Sequence, residues 1–459
     1  MSRFLTLSSA WVLFGSFSAY AADTALDRYV KQADPTYKYQ VVNTVKGDGF
    51  TSYIVEMTSQ TWRKPTEVDR NVWKHWLTII KPDRVDTSTA YLFISGGSTK
   101  DKAPNGLNGT YTEIALTTHS VAAELQDIPN EPVTFADDPQ SRSEDGIIAY
   151  TWLKFMRTGD ETWPLRLPMT KAAVRALDTV TAVMATPDAG NVKVDRFVVS
   201  GGSKRGWTTW TTAAVDHRVT AIIPAVIDLL NLEKSFEHHF KVYGFWAPAV
   251  KDYDLSGVMD WMGTPQFRKL LEIEEPYNYR DRLTMPKFMV YAAGDQFFLP
   301  DSSRYYFDDL KGEKYLRYVP NADHSLKNTD ARESMLAYYQ AFLNGKPRPE
   351  FHWKFEPNGD IRVTTKDKPS AVKLWQANNP EHRDFRLETL GPVYQSSDLT
   401  PAKSNEYIAH VEKPAKGWTA YFVELTYPSG GKYPFKFTTA VRVNPDTEPF
   451  PAFKPKPPK

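Results

Sequence analysis

"VSGGSKRGWTTW", residues 199–210, sets two glycines directly before a serine and a third glycine three places after it. The run leading in, "VDRFVV" (194–199), is apolar and reads as a strand, while "RGWTTWTTAAVD" (205–216) has helical spacing. A serine at such a junction is either a nucleophile on a cramped strand-to-helix turn or a polar loop residue. The common form of a nucleophile turn is Gly-x-Ser-x-Gly. Here Gly201 is in place, but Gly206 comes one position late. A serine hydroxyl is a weak nucleophile and needs a base and oxyanion donors nearby, so the rest of the chain has to decide.

Working outward, strands and helices alternate. "YKYQVVNTV", "FTSYIVEMTSQTW" and "VWKHWLTIIKP" (37–82) are three successive strand-like runs, and "TAYLFISGGS" (89–98) is an apolar strand ending in glycine. A helical pattern runs through "YTEIALTTHSVAAEL" (111–125), and "IPNEPVTF" (128–135) reads as the next strand. Two helices follow, one over "SEDGIIAYTWLKFMRTG" with capping chemistry in 141–145, the other over "TKAAVRALDTVTAVMA". After the serine come "VTAIIPAVI", "MPKFMVYAAGD", a helix at "SRYYFDDL", the strand of "EKYLRYVPNADHS" and a helix over "DARESMLAYYQAFLNG". This alternation predicts an α/β fold with a mostly parallel sheet flanked by helices on both faces. The aromatic-rich stretch 228–284 breaks the alternation and reads as a cap inserted over the carboxyl ends of the strands, where open α/β sheets bind ligands. Residues 349–445 alternate in short runs between Pro, Gly and Asn turns, as in a β-sandwich domain. The tail 446–459, "DTEPFPAFKPKPPK", reads as disordered. The α/β domain spans 22–348.

Partners for the serine lie downstream. "KFMVYAAGD" ends at Asp295, and the loop after "LRYV" carries His324. Both follow apolar runs, so successive strand tips would bring Ser203, Asp295 and His324 to one rim, in the chain order Ser, Asp, His of α/β-hydrolases. Asp301 or Asp323 could orient the histidine in place of Asp295. His75, His119, His217, His238 and His239 compete with His324, but none follows a candidate acid strand. One oxyanion donor would be the amide of Lys204. The other is expected from "FISGGSTK", with Gly97 and Ser98 as candidates, although a plain glycine turn would look the same. Trp207, His239, Tyr243 and Trp246 are candidate substrate contacts, and Tyr253 and Trp261 add to the aromatic cap. No HExxH motif occurs and His238-His239 lacks helical metal spacing, so neither a metal nor a cofactor is expected.

The N-terminus resembles a secretory leader, with Arg3, the apolar "FLTLSSAWVLFGSFSA" and Ala19-Tyr20-Ala21 as a cleavage pattern. Cleavage after Ala21 would remove residues 1–21 and leave basic and acidic residues equal in number. The formal charge of +1 is spread along the chain, which argues against a nucleic-acid partner. There are no cysteines, so disulfides, thiolate metal sites and cysteine nucleophiles are excluded. A bacterial periplasmic or secreted protein without stable membrane insertion is expected. Its oligomeric state stays open.

"GGSKRGWTTW", "IPAVIDLLN", "YAAGDQFFLPDSS" and "GEKYLRYVPNADHSL" resemble the PhoPQ-activated pathogenicity-related protein family. The likeness extends over most of residues 25–350. It implies an α/β-hydrolase fold with Ser203, Asp295 and His324 as the triad, but no defined substrate. The late glycine is similar to the Gly-x-Ser-x-x-Gly turn of glucuronoyl esterases. Three functions are open on these grounds: an esterase acting on a carbohydrate or cell-envelope ester, a serine peptidase, and a secreted binding protein on a hydrolase scaffold. An aminopeptidase would need a carboxylate pair, for which Glu233, Glu237, Asp252 and Asp254 are candidates.

Overall fold

The computed structural model describes residues 23–456, so the expected leader lies outside the described residues. A single large sheet runs through the molecule. It opens with an antiparallel meander, Lys38–Gly47, Phe50–Thr61 and Val72–Pro82. Six parallel strands follow in space: Ala122–Leu125, Thr89–Ile94, Arg196–Gly202, Val219–Ala225, Lys287–Ala292 and Lys314–Val319. Counted from Phe50–Thr61, the order is 1-2-4-3-5-6-7-8 with only the second strand antiparallel to its neighbours, the arrangement of an α/β-hydrolase.

Both faces of the parallel strands are buried, and their side chains divide with period two. Phe197, Val199, Met289 and Tyr291 pack on one side, under the helices Asp145–Thr158, Arg166–Met184 and Lys204–Val215. Val198, Phe288, Val290 and Ala292 pack on the other, under Gly109–Thr118 and Ala331–Leu343. Period-two burial on both faces explains why these strands read as continuous apolar runs.

Three local expectations are corrected. The helix expected over 111–125 stops at His119, which turns left-handed (φ 48°), and Ala122–Leu125 is the sheet strand. Alanine, glutamate and leucine favour helix, and the central position in the sheet overrides that preference. "VTF" (133–135) instead pairs with Asp138–Arg142 in a separate hairpin. The helix expected at "SRYYFDDL" is a single 3-10 turn, Ser302–Tyr305.

The insertion between Val219–Ala225 and Lys287–Ala292 holds the helices Leu232–Tyr243, Lys251–Leu255 and Pro265–Glu274. At the C-terminal end the strands form two packed layers. Phe435–Thr438, Trp418–Tyr427 and Ala371–Asn379 continue the central sheet through Leu316 opposite Thr438. Phe351–Phe355, Ile361–Thr365 and Glu406–Ala409 form a three-stranded sheet over them, with Ile361, Val363, Leu374, Val423 and Phe437 in the shared core. The sandwich is therefore built onto the sheet edge and shares a layer with it.

The tail, expected to be disordered, is anchored over 446–456. Asp446 takes both Nη atoms of Arg304 (2.8 and 2.6 Å), and Glu448 accepts from His238 Nδ1 (2.8 Å). Phe453 packs on Phe240 and Trp246 of the insertion. Composition hid this, because two phenylalanines and two carboxylates suffice to hold a Pro-rich strap. No helix among the described residues is long and apolar enough to cross a membrane.

Candidate active site

Ser203 sits where strand Arg196–Gly202 turns into helix Lys204–Val215, with φ 57° and ψ −127°. A residue with a Cβ rarely adopts this backbone, at a cost of about 1–3 kcal/mol, and holds it only where the surroundings enforce it. Here the Ser203 amide donates to Ala225 O (2.9 Å) on the next strand, and Trp207 N donates back to Ser203 O (3.0 Å). The late glycine has a direct cause. A Cβ on Gly206 would lie 2.9 Å from both Gly201 O and Ala225 O, and one on Gly201 would lie 2.6 Å from Arg205 O. The two glycines press together across the first helical turn, which sets their spacing of five.

His324 and Asp295 meet at the tips of neighbouring strands. His324 Nδ1 lies 2.7 Å from Asp295 Oδ2, and the other Asp295 oxygen accepts from Phe297 N at 2.7 Å. Gln296 Oε1 accepts from the His324 amide (3.0 Å), and the Phe297 ring packs 4.4 Å from the imidazole. Phe297 also lines the cavity that Ser203 lines, so one ring borders both the imidazole and that cavity. His324 Nε2 is buried with no hydrogen-bond partner, so Ser203 Oγ does not bond to it in this conformation. The competing acids are engaged elsewhere, Asp301 by Arg383 Nη2 (2.8 Å) and Asp323 by Ser325. Of the other histidines, His75 contacts Ser59 Oγ (2.9 Å), and burial pushes its imidazole down to about 4.

The cavity beside Ser203 is small, about 30 Å³, and Trp152, Trp207, Phe236, Tyr253 and Phe298 wall it. Of the four expected substrate contacts only Trp207 lines it. His239 is a core histidine: it accepts from Ala247 N (3.1 Å), and burial, with Arg386 nearby, pushes its imidazole down to about 3. Tyr243 stands edge-on to His239, and Trp246 packs among Phe236, Phe240 and Phe453. These three hold the insertion together. Lys204 begins its helix, where backbone N–H groups lack intrahelical acceptors. Ser98 is removed from the oxyanion candidates, because its amide donates to Asp101 Oδ2 (2.8 Å) and it lines another cavity, with His75 and Asp127. Gly97 (φ 147°) is pressed on Asp127, where a Cβ would meet Oδ1 at 2.3 Å.

Residues that the sequence reading did not single out complete the site. The capping chemistry expected before helix Asp145–Thr158 is absent, because Glu144 caps it without a side-chain bond and at φ 54°, ψ −129°. Its carboxylate turns to Arg205, taking Nη1 at 3.0 Å and Nη2 at 2.7 Å, and to Lys204 Nζ at 2.6 Å. Burial works against ionisation of Glu144, yet Arg205 and Lys204 hold its carboxyl below the usual range. Glu131 beside it is pushed well above the usual carboxylate range by burial and by the Glu144 charge. Arg205 also donates through Nε to Ile128 O and lies against Gly96, where a Cβ would fall 2.7 Å from Nη2. One guanidinium thus ties the serine turn to the 95–98 loop. Lys204 Nζ reaches Asp145 Oδ2 (3.3 Å), whose other oxygen accepts from Tyr253 OH (2.9 Å). No spacing in the sequence joins Glu144 to Arg205. Among the described residues no group of three or more His, Cys, Asp or Glu is placed to hold a metal.

Residues 26–386 match the family described as PhoPQ-activated pathogenicity-related protein. Autocrine proliferation repressor protein A of Dictyostelium discoideum is 38% identical over 479 residues, covering 98% of this chain and 95% of that protein. Among solved structures, an acetyl xylan esterase from Paenibacillus sp. R4 is 16% identical with a TM-score of 0.49, covering 69% of this chain and 92% of that one. A glucuronoyl esterase from Solibacter usitatus is 13% identical with a TM-score of 0.40, covering 70% and 90%. Likeness at this level says nothing about chemistry.

Proposed function

This chain is a member of the PhoPQ-activated pathogenicity-related protein family, and from that premise and the geometry of its serine turn we propose that it is an exported serine hydrolase that cleaves esters. Ser203 Oγ attacks the acyl carbonyl while His324 Nε2 takes the hydroxyl proton. Asp295, on Nδ1, fixes the tautomer and stabilises the imidazolium. The Lys204 amide, with the Gly97 amide as second donor, receives the charge on the carbonyl oxygen. His324 then delivers its proton to the leaving alkoxide, and water repeats the sequence on the acyl-enzyme.

The observation that carries this reading is the strained backbone of Ser203, maintained by two opposed glycines at the end of a buried strand. Strain of this kind clusters at functional sites, and Ser203 shares it with Glu144 across the Arg205 link. An ester is favoured over a peptide because the cavity holds only a small group, and none of Glu233, Glu237, Asp252 and Asp254 lines it. The mature protein is expected to hydrolyse p-nitrophenyl acetate, and Ser203→Ala to lose that turnover with Tm within a few degrees. Turnover retained by the variant would remove Ser203 from the mechanism. Export predicts a secreted form whose N-terminal sequence begins at Ala22, whereas a retained leader contradicts it.

A further inference from the structure

Arg166 lies in the wall of the Ser203 cavity and is 2% exposed. Its Nη1 reaches only Met169 Sδ (3.5 Å), and its buried Nε has no partner. Among the described residues no carboxylate comes within ion-pair distance of the guanidinium. Of the acids beside it, Asp145 in the same wall is taken by Lys204 and Tyr253, and Glu274 accepts from the Arg166 backbone amide (3.2 Å) and from Trp152 Nε1, with burial pushing its carboxyl up to about 7. The other cation in the wall, Lys204, is already neutralised by Glu144 and Asp145. Arg166 is also the first residue of the helix Arg166–Met184, where the helix dipole disfavours a cation.

Burying a charge without a counter-charge is strongly unfavourable, so a buried guanidinium is normally paired. This one is stacked 4.8 Å over the Trp207 ring. The stack fixes its plane, and with Nε unpartnered and Nη1 on a thioether the guanidinium keeps its capacity for a planar, bidentate anion. A cavity of about 30 Å³ takes only a few heavy atoms beyond the scissile carbonyl.

We propose that Arg166 binds a carboxylate on the acyl portion of the substrate, so that the enzyme selects half-esters of short dicarboxylic acids. This rests on the hydrolase reading of Ser203. Methyl butyrate and monomethyl succinate are a matched pair, differing by a methyl group against a carboxylate at the far end of the acyl chain. Each is tested as a competitor of fluorophosphonate labelling of the mature protein, against each variant's own unprotected rate. Wild type is expected to be protected by monomethyl succinate at concentrations at least about tenfold lower than by methyl butyrate, the discrimination typical of one charge-assisted pair. Arg166→Met should abolish the difference and Arg166→Lys should keep part of it, which covers the case in which the methionine variant does not fold. Equal protection of wild type by both esters, or a preference undiminished in both variants, overturns the assignment and leaves Arg166 as a structural neighbour of Glu274. Failure of Ser203 to label at all is a different result, since it defeats the hydrolase reading and this inference with it.

Discussion

At Ser203 a left-handed backbone is imposed on a residue that has a Cβ, so stability and chemistry oppose each other there. Ser203→Gly removes the strain at the expense of a more flexible unfolded chain. The net expectation is a gain of about 1 kcal/mol, or a rise in Tm of about one to two degrees, with activity lost. A scan showing the glycine variant less stable than wild type contradicts the strain argument. Asp295→Asn should lower kcat by about 10³–10⁴ by disturbing the His324 tautomer, with little change in fold. The residues behind these predictions were legible in the sequence because each stands just past an apolar run. The late glycine was visible but uninterpretable there, since only the approach of Gly206 to Gly201 O explains it. Among the aromatic candidates, type alone could not separate Trp207 in the cavity wall from Trp246 among Phe236, Phe240 and Phe453.

Between elements, two polar links hold the site. The first is Arg205 with Glu144, which joins the serine turn to helix Asp145–Thr158 and to the glycine loop. Arg205→Met or Glu144→Gln should lower kcat by about tenfold or more with KM little changed, as misplaced oxyanion donors would. A rise in KM at constant kcat would instead assign the pair to substrate binding. The second is Asp228, just beyond strand Val219–Ala225, which accepts from Tyr306 OH (2.7 Å) and Tyr318 OH (2.6 Å). Burial pushes its carboxyl up to about 8 despite both hydroxyls. The folded state therefore holds a proton that the unfolded chain releases near pH 4. The stability Asp228 contributes is complete below pH 4 and is lost as pH rises towards 8. Asp228→Asn, which cannot ionise, should shift Tm by a constant offset plus a gain relative to wild type that grows from pH 4 to 8. A difference independent of pH would show that Asp228 does not titrate in this range. Neither link has a sequence signature, because each joins residues about 60 to 90 positions apart that only the sheet order brings together.

Across the whole molecule, the mostly parallel sheet flanked by helices followed from the alternation of apolar runs, whereas the strand order and the junction with the C-terminal layers did not. Residues 349–445 read as a separate module because antiparallel strands alternate in the same way whether or not they join a neighbouring sheet. Continuity is carried by very little, the bridge Leu316–Thr438, with the buried Arg317–Glu424 pair beside it. The terminal strap runs back over the insertion through Glu448, Phe450 and Phe453. Deleting residues 446–459 should therefore lower Tm by a few degrees, in line with about 1–2 kcal/mol from the half-buried Phe453. It should also speed proteolysis within 232–262. Unchanged proteolysis would mean that the insertion is held by its own core alone.

The central claim is that Ser203 is an activated nucleophile, and fluorophosphonate labelling of the mature protein tests it most directly, beside Ser203→Ala and His324→Ala. The account predicts stoichiometric labelling of wild type mapped to Ser203, none in the serine variant and at least about a hundredfold slower labelling in the histidine variant. A folded wild type that fails to label, or that labels at the same rate without His324, would contradict it.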